Sequence, residues 1–174
     1  MKRTMLFSSA LLALTLFHAP AFAASPANLE PVLAAHSWLN GHLTPGNSRG
    51  RVVLVDVFTF ECINCVRVTP NLQRLYRTYS RRDLEIVAVH TPEVPSYQGR
   101  LGYLRDQIAK ASIGWPVVVD NDYRIWQAYG VSAWPTQLVF DSEGHLGATI
   151  TGDSQDAVLD RTIASLIQQK AHRK

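Results

Sequence analysis

The sequence predicts an α/β protein in which a central mixed β-sheet is flanked by helices on both faces. Three observations carry that reading. Residues 52–58 and 84–89 are short runs that are apolar on both faces, the pattern of strands buried in the middle of a sheet. Each is followed by a longer stretch with apolar residues at helical spacing. Further on, residues 135–140 and 145–151 flank Asp141-Ser142-Glu143-Gly144, the signature of a hairpin closed by a turn.

Taken in order, residues 1–23 stand apart from the fold. Lys2 and Arg3 precede an apolar stretch over 5–17, Pro20 follows, and Ala21-Phe22-Ala23 supplies small residues for cleavage after Ala23. This is the pattern of a secretory signal peptide; left uncleaved it would act as an N-terminal membrane anchor, although the apolar stretch is short for a span. Cleavage leaves 151 residues with a formal charge of +1, once the two cations of residues 1–23 are gone. Residues 24–35 are rich in Ala and Pro and predict a loose lead-in, with helical character from Leu29. Residues 36–41 predict a short amphipathic turn stopped by Gly41, and the turn formers of 44–50 predict a loop.

The domain proper is expected over 36–170, with a tail at 171–174. Its first strand, 52–58, is interrupted by a single acid, Asp56. A helix over 62–79 is expected to bury Val66, Leu72, Leu75, Tyr76 and Tyr79, and Pro70 should kink it. After the strand at 84–89 comes a loop over 91–96, with Ser96 as cap of a helix over 97–111 that buries Leu101, Leu104, Ile108 and Ala111. A short strand at 117–120 and a small helix ending at Gly130 lead to the hairpin. Ser154 is expected to cap a last helix that buries Leu159, Ile163, Leu166 and Ile167.

Composition removes some classes of function. Apolar residues make up 47% of the chain, enough for a real core, and the formal charge of +3 includes no basic block of the kind that grips nucleic acid. The chemistry gathers at Phe60-Glu61-Cys62-Ile63-Asn64-Cys65, which holds the only two cysteines of the chain. A strand leading into Cys-x-x-Cys at the start of a helix is the arrangement of thiol–disulfide exchange. The alternatives are a structural staple and half a zinc site. The staple closes too short a loop to stabilise a domain of this size appreciably. The zinc site lacks two further ligands, since the six histidines show no ligand spacing. Neither a metal nor an organic cofactor is expected.

With these residues and spacings the chain resembles the thioredoxin superfamily, and within it the exported TlpA-type reductases and the C-terminal domain of DipZ-like proteins. The Cys62-Ile63-Asn64-Cys65 segment is similar to the dithiol motif of the DipZ-like branch. Asp56 stands six residues before Cys62, where the family has a buried acid, and Pro70 stands eight after it. Trp134-Pro135-Thr136 looks like the cis-proline segment, and Gly152 like the glycine of the loop facing the active site. Two positions depart: Phe58 and Glu61 stand where the family commonly has Trp.

The resemblance implies a thioredoxin-like fold and a role for each residue. Cys62, at a helix N-terminus that favours a thiolate, would be the nucleophile, and the more buried Cys65 would resolve the mixed disulfide. Burial would raise the pKa of Asp56 and suit it to take the proton of Cys65. Pro135, in the cis form, would present the backbone of Trp134 to an extended partner segment, with Ile63, Asn64 and Gly152 around it. Phe58 and Trp134 are expected to form an apolar rim. Glu61 sets a negative charge beside Cys62, disfavours its thiolate, and so points toward reduction.

The expected protein is a periplasmic thiol–disulfide oxidoreductase that reduces disulfides of exported proteins, including those of cytochrome c maturation. Its partners would be disulfide-containing or dithiol exported proteins and a membrane-embedded dithiol donor. A disulfide-inserting oxidase of the same fold and a non-catalytic binding or chaperone module are the rival readings.

Overall fold

The computed structural model describes residues 28–94 and 100–172. The signal-peptide and anchor expectations over 1–23, and the expected cap at Ser96, lie outside the described residues.

The elements follow in chain order as α1 (Glu30–Leu33), β1 (Trp38–Leu39), α2 (Pro45–Ser48), β2 (Val52–Phe58), α3 (Ile63–Thr78), β3 (Leu84–His90), α4 (Leu101–Lys110), β4 (Val117–Val119), α5 (Arg124–Ala128), β5 (Thr136–Phe140), β6 (Leu146–Thr151) and α6 (Asp156–His172). The six strands form one sheet in the order β1-β4-β3-β2-β5-β6. β2, β3 and β4 run parallel, while β1, β5 and β6 pair antiparallel with their neighbours. The two strands read as fully apolar, β2 and β3, are buried at every residue and lie at the centre of the sheet. The sheet is mixed and carries helices on both faces, as predicted.

Side-chain alternation along β2 divides the core. Val52, Leu54 and Phe58 pack under α3, α4 and α6 with Leu72, Leu75, Leu104, Leu159 and Ile163. Val53, Val55 and Val57 face the other way, toward Leu29, Val32, Ile125, Tyr129 and Phe140. Asp56 has the parity of Leu54 and Phe58, so the acid lies on the α3 side.

Several expectations are corrected. Residues 28–35 are tied down: Leu29 and Val32 are buried, Asn28 bridges His145, and the Leu29 amide donates to the Gly144 carbonyl at 3.1 Å. Trp38 and Leu39 form an edge strand beside β4 rather than a turn. The loop at 44–50 holds the single turn α2, because Thr44 and Asn47 complete a reciprocal capping box and Pro45 suits the first helical position. On α3 the buried stripe is Cys65, Val68, Leu72 and Leu75, at helical spacing, which leaves Val66 52% exposed. Ser154 sits at φ +62 ahead of α6, and the Gln155 carbonyl accepts the first amide bonds, from Val158 and Leu159. That helix continues through His172, into the stretch read as a tail.

Candidate functional site

β2 ends at Phe58 and the chain turns through Thr59, Phe60 and Glu61 into α3, so the dithiol stands at the C-terminal edge of the parallel strands. Cys62 is the N-cap of α3, in extended conformation, and its Sγ accepts from the Cys65 amide at 3.4 Å. Cys65 lies one turn on and is 3% exposed. Both thiols are free. Burial pushes the Cys65 thiol far above its ordinary range, with the charge of Asp56 adding to it and a backbone hydrogen bond from Thr59 opposing it. A group in that state needs a base before it can attack.

Asp56 is the nearby carboxylate on the same face. Burial raises its pKa to about 6, against a hydrogen bond from Gln137 that lowers it. Its neighbours in register are Ala88 on β3 and Gln137 on β5. Gln137 Nε2 donates to Asp56 Oδ1 at 3.0 Å.

The chain reaches the dithiol again from β5. The Trp134–Pro135 peptide bond is cis, and Cys62 Sγ donates to the Trp134 carbonyl at 3.7 Å. The Gly152 amide donates to the Pro135 carbonyl at 2.9 Å, which brings the loop after β6 to the same edge. Gly152 adopts φ +91, a backbone state that favours glycine, and a Cβ there would meet nothing within 4 Å. Between the cysteines, Ile63 is 62% exposed. Asn64 accepts from Arg67, which also pairs with Asp153 at 3.2 Å. The sequence-predicted residues Cys62, Cys65, Asp56, Ile63, Asn64, Trp134, Pro135 and Gly152 therefore gather at one edge.

Phe58 and Glu61 are placed differently from expectation. Phe58 is 4% exposed and packs its ring against Phe60 and His90, because the parity of β2 turns it into the core; it is floor rather than rim. With Thr59, Phe60, Cys65, Val66 and Pro70 it lines a small apolar pocket of about 160 Å³ beside the resolving cysteine. Glu61 turns inward. One carboxylate oxygen accepts from the Thr59 hydroxyl, and the other is buried with no hydrogen-bond partner. Its charge acts on His90, which burial pushes down to about 4 while Glu61 pulls it up.

Two residues of this edge escaped the sequence reading. His90 is 4% exposed, and neither ring nitrogen has a hydrogen-bond partner. Trp126 stacks on Trp134 with ring centroids 4.3 Å apart, and Tyr123 meets it edge-on at 6.4 Å, so an aromatic row continues away from Cys62. No spacing in the sequence signals that stack, since it joins α5 to the loop before β5.

Away from the dithiol, Asp141, Glu143 and His145 bring their ligand atoms within 4.8 Å of one another. Asp141 Oδ1 there accepts the amides of Glu143 and His145, a hydrogen-bonded hairpin turn.

Residues 50–146 match the family model described as thioredoxin-like. Protein DipZ of Mycobacterium tuberculosis is 31% identical over 137 residues, which cover 75% of this chain and 19% of DipZ. The chain thus spans about a fifth of the length of that relative. The thiol-disulfide oxidoreductase ResA of Geobacillus kaustophilus is 27% identical over 122 residues, covering 68% of this chain and 64% of ResA. Among solved structures, a thiol-disulfide isomerase from Corynebacterium glutamicum superposes with a TM-score of 0.70 at 27% identity, covering 82% of this chain and 96% of that one.

Proposed function

The chain belongs to the thioredoxin-like family of thiol–disulfide oxidoreductases, and from that premise we propose that it works in the periplasm as a reductant of disulfides in exported proteins. The observation that carries the reading is the asymmetry of the dithiol: a partly exposed Cys62 at a helix start, facing the Trp134 carbonyl, and a buried Cys65 beside a buried acid. Cys62, as thiolate, attacks a partner disulfide and forms a mixed disulfide, expelling one partner sulfur as thiolate. Cys65 then attacks Cys62 Sγ, its proton passes to Asp56, and the second partner sulfur leaves. The partner gains two electrons and Cys62–Cys65 becomes a disulfide. A membrane-embedded dithiol protein restores the reduced state, because an oxidising compartment supplies no thiol reservoir.

The cis Trp134–Pro135 segment and the open Gly152 support an extended partner segment lying across the cleft. Ile63, the most exposed large apolar residue in the described chain, supports a contact with apolar flanks of the partner cysteine. Cysteine pairs of apocytochromes c belong to the substrate class this reading covers. The signal-like N-terminus supports export, with cleavage after Ala23.

The test is a Cys65→Ser variant expressed with its own N-terminus. Without the resolving thiol, covalent adducts through Cys62 should accumulate in the exported fraction, and mass spectrometry should identify cysteine-pair proteins and a membrane dithiol protein among them. An exported fraction free of Cys62 adducts overturns the reading.

A further inference from the structure

The strand that follows the cis proline carries the support of the buried acid. Pro135 precedes β5, and Gln137, its second residue, stands in register with Asp56. Gln137 is 2% exposed and Asp56 5%. Side-chain parity puts Gln137 on the α3 face with Val139, whereas Leu138 and Phe140 point to the opposite core. A buried amide surrounded by apolar side chains costs free energy unless it is hydrogen-bonded. This one is bonded to Asp56 at 3.0 Å.

From this geometry, and resting on the reading of Asp56 as proton acceptor, we propose that Gln137 is a positioning residue of the exchange reaction, whose amide holds the Asp56 carboxylate ionised and in place to receive the proton of Cys65. The groups around Asp56 leave few other candidates. β3 offers the methyl of Ala88, β5 offers Gln137, and the titratable group facing it from α3 is Cys65. No cation flanks the acid in register, so a neutral donor counters the burial penalty. A donor bonded to the charged form favours it and lowers the Asp56 pKa, against the rise that burial causes. In the resolving step the Cys65 S–H bond breaks, the proton goes to Asp56, the Cys65–Cys62 bond forms and the partner sulfur departs with the electron pair.

The experiment follows the two steps separately. Reduced protein is mixed with one equivalent of a nitrobenzoate aryl disulfide, which releases one coloured thiolate when Cys62 attacks and a second when Cys65 resolves. Both releases are recorded against pH for the wild type, Gln137→Met, Gln137→Glu and Asp56→Asn, and the Asp56 carboxyl carbon is titrated by NMR. The expected result is a displacement of the second limb to higher pH by about one unit, a loss of about tenfold below the midpoint, in both Gln137 variants, together with a matching displacement of the Asp56 titration. Gln137→Glu keeps the side-chain shape but replaces the donating amide by an acceptor, so it removes the same hydrogen bond to Asp56 and serves where Gln137→Met does not fold. Gln137 limbs that superimpose on wild type, or that slow both releases equally at every pH, overturn the positioning role while Asp56 keeps its own as long as Asp56→Asn abolishes the second limb. An Asp56→Asn profile identical to wild type overturns the acceptor reading and the proposal with it.

Discussion

An ionised carboxylate at position 56 works against folding. Asp56 titrates near 6 in the folded chain, against an ordinary value of 3.8, and burial is the main cause. Between those values the folded state binds more protons than the unfolded chain, so this group's contribution falls as pH rises and its full cost is present above about pH 6. Two units correspond to about 3 kcal/mol. Asp56→Asn should therefore be more stable than wild type by about 2–3 kcal/mol at pH 8, with the difference vanishing below about pH 4. Urea unfolding at the two pH values checks this, and a difference independent of pH rejects it. His90 has the opposite sign: held near 4 against 6.5, it is destabilising once pH falls below 6.5 and fully so below 4. Between pH 4 and 6 the two slopes oppose each other, and a His90→Phe variant should remove the opposing one, leaving the fall in stability with rising pH that Asp56 shares with the other buried carboxylates Glu85 and Asp120.

At the scale of elements, the active edge depends on short pieces that stabilise longer ones. α3 is aligned by the stripe from Cys65 to Leu75 and tied to α6 by hydrogen bonds from Asn71 and Arg74 to Asp160. The opposite face is closed by residues 28–33. Leu29 and Val32 enter the core with Tyr129 and Phe140, and the Tyr129 hydroxyl donates to the Asn28 carbonyl at 2.9 Å. Leu29→Ala should therefore cost about 2–5 kcal/mol in urea unfolding, the usual range for a truncated buried leucine. A loose lead-in would lose less than about 0.5 kcal/mol, and such a result would show that α1 does not contribute to the core.

For the whole molecule, direction of electron flow and stability are linked. A protein poised as a reductant stabilises its disulfide form, and one poised as an oxidant stabilises its dithiol form. The Cys62–Cys65 couple should equilibrate below about −220 mV against glutathione or dithiothreitol, and the oxidised protein should unfold at higher urea than the reduced one. A potential near −120 mV with the reverse order of stability would move the protein to the disulfide-inserting reading.

Much of this was legible in sequence because it is written in local patterns. Strands apolar on both faces announced the centre of the sheet, and a single cysteine pair at a strand-to-helix junction announced the chemistry. The resemblance to the thioredoxin superfamily, carried by Asp56, Pro70, Trp134-Pro135 and Gly152, pointed to the residues that converge on it. What lay beyond sequence were contacts between segments far apart in the chain. The pairing of Asp56 with Gln137 depends on strand register, the stacking of Trp126 on Trp134 on how α5 meets the β5 loop, and the burial of Leu29 on a bridge to the β5–β6 turn. The orientation of Glu61 was hidden for the same reason: its neighbours in sequence allow it to face water, and only the floor made by Thr59 and His90 turns it inward. Local periodicity determines which residues form each element and which face they bury, whereas register and long-range packing, set by the whole core, decide which side chains meet at the dithiol.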